Sequence, residues 1–507
     1  MALVNTILTW FIQTRIPQIE EDSAYPFETQ KRIFNNLIRT AEGTEWGLAH
    51  RYQQIRSEEE FKTSVPLGDY ESLKGFIQRM MNGEENILWP GEIKWFAKSS
   101  GTTNDKSKLI PVSEETFNQC HFKAGRDMLS LFLKNKPESQ IFTGKALVLG
   151  GSHQRNSGNQ CIQFGDLSAL LIENLPLWAD LYRVPDKETA LLEDWELKLE
   201  KMAQATIPLN ITNISGVPTW TLLLMRKVLD ITGKHNILEV WPNLEVYFHG
   251  AVNFLPYREQ FKALIPSESM YYLETYNASE GFFAIQDQMN SEDLLLLLDY
   301  GIYYEFLPME EWETENPKTI GLQEVKLGTT YALVISTNSG LWRYQIGDTI
   351  RFTSLKPHRI QITGRTKQFI NAFGEELMVE NVEKAMAFAC LQTDSLVREY
   401  TVAPRFCPEE NNGNHEWLIE FEQEPENLID FMNLVDKKLM VLNSDYEAKR
   451  FKNLALKPPQ LLKAPTGTFY NWLKNRGKLG GQHKIPRLCN SRRYLDDITN
   501  LLSIQVI

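Results

Sequence analysis

A chain of 507 residues is too long to close around one core, so two or more domains are expected. Apolar content of 42%, aromatic content of 11% and charged content of 23% describe well-packed globular structure. The net charge of −12 argues against a nucleic-acid or anionic-membrane partner, because phosphate contacts there need a basic face; a nucleotide would have to be held by a local basic site. The five cysteines (Cys120, Cys161, Cys390, Cys407, Cys489) are scattered without a C-x-x-C pair, and the histidines are not clustered, which argues against a zinc site or a disulfide framework.

Residues 1–12 are apolar but lack a basic leader, a cleavage site and the length to span a bilayer. They read as a helix packed on the body of a soluble, cytoplasmic protein. Residues 1–90 continue as helices, with Phe34, Leu37 and Ile38 at helical spacing and further turns at 58–61 and 70–80. A short strand around Ile93, Trp95 and Phe96 leads into Ser99-Ser100-Gly101-Thr102-Thr103, and Lys106 and Lys108 follow. Gly101 permits a positive φ that turns backbone N–H groups toward one point, the hydroxyls add donors, and the lysines neutralise charge. These are the requirements of a loop that wraps a polyphosphate. It is not a Walker A loop, whose second glycine and Gly-Lys-Ser/Thr ending are missing.

After this loop the pattern gives a long amphipathic helix over 114–133, a short buried strand over 145–151, and mostly helix over 165–240. Strands return at 244–248, running into His249-Gly250-Ala251, and at 270–276, running into Asn277-Ala278-Ser279-Glu280-Gly281. Residues 331–337 pair with 341–346 across Asn338-Ser339-Gly340, and 351–353 and 359–363 add two more strands. Beyond the linker candidate Gly364–Gln368, alternating strands at 399–403 and 417–422 and a helix over 427–442 give a separate small α/β domain. The predicted fold class is therefore α/β: a large N-terminal body (1–363) with mixed sheets and helices, a hinge (364–370) and a small mobile C-terminal domain (371–507).

Three motifs now stand in order: Ser99–Thr103 with Lys108, Tyr276–Gly281, and Trp342-Arg343-Tyr344-Gln345-Ile346-Gly347-Asp348. Together they resemble the nucleotide-binding motifs of the adenylate-forming superfamily, which includes firefly luciferase and the acyl-CoA synthetases. The chain is more similar still to the acyl acid amido synthetases of the plant auxin-responsive family and their bacterial relatives. The stretches 42–47, 65–67 onward and Gly481-Gln482-His483-Lys484-Ile485-Pro486-Arg487 look like further landmarks of that family, so the resemblance runs nearly end to end. It implies a ligase that uses ATP and Mg²⁺ to join a small carboxylic acid to an amino acid.

Residue by residue, the resemblance places Ser99, Ser100, Gly101, Thr102, Thr103 and Lys108 on the phosphates. A carboxylate at Glu280, following a strand, suits a Mg²⁺ ligand, since Mg²⁺ takes one or two protein oxygens and fills the rest with phosphate and water. Ala278 and Ser279 flank it. Gly250 and Ala251 would lie along the adenine, with Tyr276 covering the other face. Asp348 would accept the ribose hydroxyls, and Arg343 would support that loop structurally. Arg365 matches the arginine kept near the hinge, although Gln368 stands where an acidic hinge residue is usual. Lys484 matches the C-terminal-domain lysine that enters the site during adenylation, with Lys478 a rival by proximity.

The chemistry explains the parts. Attack of a carboxylate on the α-phosphate of ATP brings two anions together, so catalysis is positioning and charge cancellation. The second step needs an amine that has lost its proton; His249 and His483 are candidates to take it. Two alternatives remain: an acyl-CoA ligase that makes a thioester, and a non-catalytic nucleotide-binding relative. The acid pocket is expected among the helices between 120 and 230, with Trp178, Tyr182 and Trp220 as candidate walls. Oligomeric state is not legible.

Overall fold

The computed structural model describes residues 2–99, 108–151, 153–155, 162–251, 254–312, 314, 316–366, 369–370, 372–373, 375, 377–407, 412–450, 456–477, 479 and 485–501. The predicted Ser100, Gly101, Thr102, Thr103 and Lys484, with Lys478, Gln368 and His483, lie outside the described residues. Among the described residues no helix is long and apolar enough to cross a membrane. The chain divides into two compact units, one of Met1–Val252, Leu264–Ile346 and Ile350–Ile362, the other of Asn253–Ala263, Gly347–Thr349 and Thr363–Ile507.

The first unit opens with helices. Pro26–Ala41 starts on a proline at its first turn and buries Ile33, Phe34, Leu37, Ile38 and Ala41, a stripe at three- and four-residue spacing. Thr44 caps the next helix by accepting from the Gly47 N–H. A Cβ on Gly47 would lie 2.1 Å from the Ala41 carbonyl oxygen, so this position must be glycine. The helix Tyr70–Met81 begins with a capping box between Asp69 and Ser72.

Behind these helices lies an eleven-stranded mixed sheet. One half is parallel: Tyr271–Ala278, Val246–Gly250, Ile211–Gly216, Lys145–Val148 and Arg183–Val184 run side by side. The other half turns antiparallel at Gly281–Ile285 and continues through Leu294–Leu296 to His358–Arg365, Tyr344–Leu355, Thr330–Thr337 and Ile302–Pro308. As expected, the strands either side of Asn338-Ser339-Gly340 are neighbours, with Gly340 at φ 84°. The paired strand begins at Tyr344 and runs unbroken to Leu355, absorbing the separate strand expected at 351–353.

Two expectations change. The stretch 165–240 is not all helix: Ile211–Gly216 is a central parallel strand. The long helix expected over 114–133 is present from Glu114 to Asn135 but carries a π-helical turn, Thr116–His121, ahead of Phe122–Asn135. A smaller four-stranded sheet carries Trp95–Ser99 between Lys108–Val112 and Gln163–Asp166, with His153–Arg155 at its edge.

The second unit is built on Leu396–Cys407, Asn412–Gln423 and Gln460–Ala464. The helices Val379–Gln392 and Leu428–Leu442 bury Val382, Met386, Phe431 and Val435 with Val402 and Ile419 of the sheet. The sheet's other face packs Leu418 with Phe469, Trp472 and Ile498. The unit is α/β, in keeping with the predicted class.

Candidate active site

In the first unit the carboxyl ends of the parallel strands share one edge, where α/β sheets place ligands. Gly250 is the register partner of Thr275, which brings His249-Gly250-Ala251 beside the end of the 271–278 strand. A Cβ on Gly250 would lie 2.5 Å from the Thr275 carbonyl oxygen, so the strands approach closely only because this residue is glycine. Ala251 follows at φ 72°, a left-handed conformation that is costly for a residue with a Cβ and that gathers at functional sites. His249 is buried.

Glu280 sits in a two-residue hairpin turn with Ser279, closed by the pair Ala278 and Gly281. Neither turn residue has a positive φ, so the turn is not one of the primed types whose twist matches the strands; the register shift between Phe282 and Ala284 takes up the mismatch. Glu280 is only 6% exposed, a buried carboxylate that requires compensating positive charge or hydrogen bonds. Tyr276 is also buried, with its ring 4.8 Å from that of Phe283.

Ser99 and Lys108 are register partners in the antiparallel strand pair that forms a stem on either side of residues 100–107. The Lys108 ammonium lies 5.9 Å from the Tyr70 ring centre, and the Tyr70 hydroxyl accepts the Leu109 N–H. Ser279 Oγ donates to the Lys98 carbonyl at 3.3 Å, which ties the Glu280 turn to the base of that stem.

The third motif divides. Arg343 is buried at φ 42° and is consumed by structure: it binds Glu305 and Thr319 and donates to the carbonyls of Lys62 and Val65. The Gly68 N–H returns to the Arg343 carbonyl, which explains the 65–67 landmark as the seat of this motif. Asp348, in the second unit, is largely buried and accepts from Arg365 Nε at 2.7 Å. The expected ribose aspartate and the hinge arginine are thus partners of each other, with a third of the Arg365 side chain exposed. The landmark around Lys484 is anchored on its C-terminal side: Pro486 and Arg487 bind Thr401 and Val402, and Arg487 pairs with Glu399 at 2.7 Å.

One group has no counterpart in the sequence reading. Lys198, almost fully buried, donates to the carbonyls of Gly150 and Gly151 at 2.6 and 2.8 Å, pinning the turn after the 145–148 strand. Burial lowers its pKa to about 8. A lone lysine in a charged helix carries no signal that it will be buried; only the neighbouring glycines hint at a turn that needs a cap.

The model of the GH3 family N-terminal domain matches residues 15–270, that of the central domain residues 295–365, and that of the C-terminal domain residues 380–493. The chain belongs to the GH3 family. It is 23% identical to the indole-3-acetic acid-amido synthetase GH3.3 of Arabidopsis thaliana, over 92% of this chain and 90% of that one. It is 21% identical to the 4-substituted benzoates-glutamate ligase GH3.12 of the same plant, over 92% and 93%. Among solved structures, the GH3.15 acyl acid amido synthetase superposes with a TM-score of 0.78 at 16% identity, covering 96% and 95%. The 2-hydroxyisobutyryl-CoA ligase in complex with 2-HIB-AMP follows at 0.60 and 12%, covering 94% and 92%. The fold is that of the acyl acid amido synthetases.

Proposed function

We propose that the chain is an ATP-dependent ligase that adenylates a small carboxylic acid and passes the acyl group to the amine of an amino acid, releasing AMP and pyrophosphate. The observation that carries this reading is the Ser279–Lys98 hydrogen bond, which sets the buried Glu280 against the stem of the hydroxyl loop. Residues Ser99–Thr103 and Lys108 hold the phosphates, Gly250 and Ala251 border the adenine with Tyr276, Ala278 and Ser279 close by, and Asp348 aligned by Arg365 takes the ribose hydroxyls. A single buried carboxylate beside a phosphate loop fits Mg²⁺, which Glu280 would hold and which would supply charge cancellation on the phosphates. The acid's carboxylate attacks the α-phosphate, the bond to pyrophosphate breaks, and the mixed anhydride so formed has AMP as its leaving group. The amine then attacks the acyl carbon and loses a proton as AMP departs. In this reading residues 371–507 act as a lid on the hinge 364–370 and deliver Lys484 to the adenylation step.

ATP–pyrophosphate exchange over a panel of aromatic, aliphatic and keto acids tests the first step. Acid-dependent exchange that Glu280→Ala abolishes is the expected result; ATP binding without exchange for any acid refutes the ligase reading in favour of a nucleotide-binding protein. Faster AMP release with an amino acid than with coenzyme A assigns the acceptor, and the reverse result assigns a thioester.

A further inference from the structure

The helix that follows the hydroxyl hairpin carries polar residues that are nearly all employed. Lys123 binds Asp299, Arg126 donates to the Phe11 carbonyl and Thr14, Asp127 pairs with Arg15 and Tyr300, and Ser130 donates to the Ile12 carbonyl. His121 is the exception. It is 4% exposed, and neither ring nitrogen has a hydrogen-bond partner among the described residues. A donor and an acceptor left buried and unsatisfied destabilise the fold, so the ring sits there at a penalty that a ligand partner would remove. It also closes a π-helical turn, an irregularity found frequently at functional sites.

The surroundings say what the turn faces. Cys120 accepts the Phe282 N–H at 3.2 Å, seating the turn on the strand that starts directly after Glu280. One turn along the helix from His121, on the same face, is Gly125, whose Cβ direction is empty to 4 Å. One further turn on, Leu129 belongs to the same apolar cluster as Phe248, Trp178 and Tyr182, the last two candidate walls of the acid pocket. The helix therefore runs from beside the strand that follows Glu280, past a side-chain position left open at Gly125, to an aromatic cluster.

We propose that His121 selects the acid: its imidazole is the polar contact in an otherwise apolar acyl pocket, and it hydrogen-bonds a neutral polar substituent (hydroxyl, carbonyl or ring N–H) of an apolar carboxylic acid. This rests on the ligase reading above. Burial lowers the pKa of His121 to about 4, so the ring is neutral at physiological pH. A neutral ring is not a counter-ion for a carboxylate, whereas it can donate from one nitrogen and accept at the other.

The test is pyrophosphate exchange with shape-matched acid pairs, such as para-hydroxybenzoate against para-methylbenzoate and para-hydroxyphenylacetate against para-methylphenylacetate, together with hydroxy and keto aliphatic acids against their methyl isosteres. The wild type should favour the polar member of at least one pair by about tenfold or more in kcat/KM, because a site built to hydrogen-bond a group rejects the analogue lacking it. His121→Leu should erase or reverse that ratio, and His121→Gln should restore part of it. Equal rates within every wild-type pair overturn the proposal without any variant having to fold. A preference that survives His121→Leu overturns it too, and marks the histidine as packing only. No exchange with any acid removes the ligase reading and this proposal together, and is told apart from the other outcomes by the absence of turnover.

Discussion

Replacing Arg343 with methionine should unfold the first unit far more readily than its position in a nucleotide motif suggests. Its partner Glu305 is fully buried in the middle of the strand Ile302–Pro308. Removing the guanidinium leaves that carboxylate with the hydrogen bond from Thr319 Oγ1, at 2.5 Å, and without its counter-charge. An uncompensated buried charge costs about 3–5 kcal/mol. The carbonyls of Lys62 and Val65 each lose a charge-assisted bond of 2.8 Å, worth about 1 kcal/mol or more apiece. A total of about 5–7 kcal/mol is comparable to the whole stability of many domains. Urea unfolding followed by tryptophan fluorescence measures it, since Trp342 and Trp89 lie in the same core. The double variant Arg343→Met with Glu305→Leu should recover most of the loss, because it removes the charge as well as its partner. A single variant within about 1 kcal/mol of wild type, or a double variant no better than the single, refutes the argument. Folded Arg343→Met that keeps its KM for ATP within about twofold would show in addition that the arginine serves the fold alone.

Asp348→Ala should raise the KM for ATP by about tenfold or more, from the loss of charge-assisted hydrogen bonds worth about 1.5–3 kcal/mol, and should abolish discrimination between ATP and its ribose-deoxy analogues. Steady-state exchange kinetics with both nucleotides check this, and unchanged discrimination would exclude the ribose role. Acid should destabilise the first unit through its buried histidines. Burial lowers the pKa of both His121 and His358 to about 4, below the unfolded value of 6.5. Between those values the unfolded chain binds more protons, so stability is full above pH 6.5 and falls as pH drops to about 4, by ~3 kcal/mol for each histidine. His358→Gln, between the rings of Phe27 and Phe352, should flatten part of that slope in unfolding titrations; an unchanged slope would refute the assignment.

Elements that bury one face or a plain apolar run were legible. The helix Pro26–Ala41, the hairpin around Asn338-Ser339-Gly340 and the alternating strands of the C-terminal unit follow directly from residue periodicity and turn chemistry. Two strands of the large sheet were not, for a common reason. Ile211–Gly216 reads Ile-Thr-Asn-Ile-Ser-Gly, and its polar side chains are buried with partners: Thr212 is fully buried and donates to the Ile141 carbonyl at 2.5 Å. Ile302–Pro308 carries Glu305 in its middle, neutralised by Arg343 from just ahead of the strand Tyr344–Leu355. Burial of a polar group is decided by a partner far away in sequence, so no local pattern announces it.

The same logic separates the motif residues into two kinds. Glu280 sits in the turn between two paired strands and Asp348 within the strand Tyr344–Leu355, and the roles proposed for them come from residue type and place in the chain. Gly47, Gly250 and Arg343 are just as fixed, but by contact: Gly47 by the Ala41 carbonyl, Gly250 by Thr275, and Arg343 by Glu305 and two backbone carbonyls. A substitution at the second kind shifts the strand or turn that carries the first kind, and so lowers activity without touching substrate. Activity loss alone therefore cannot rank the residues of this site. Stability separates them: Glu280→Ala should leave the unfolding midpoint near wild type, since removing a largely buried carboxylate relieves its desolvation, whereas Gly250→Ala and Arg343→Met should lower it.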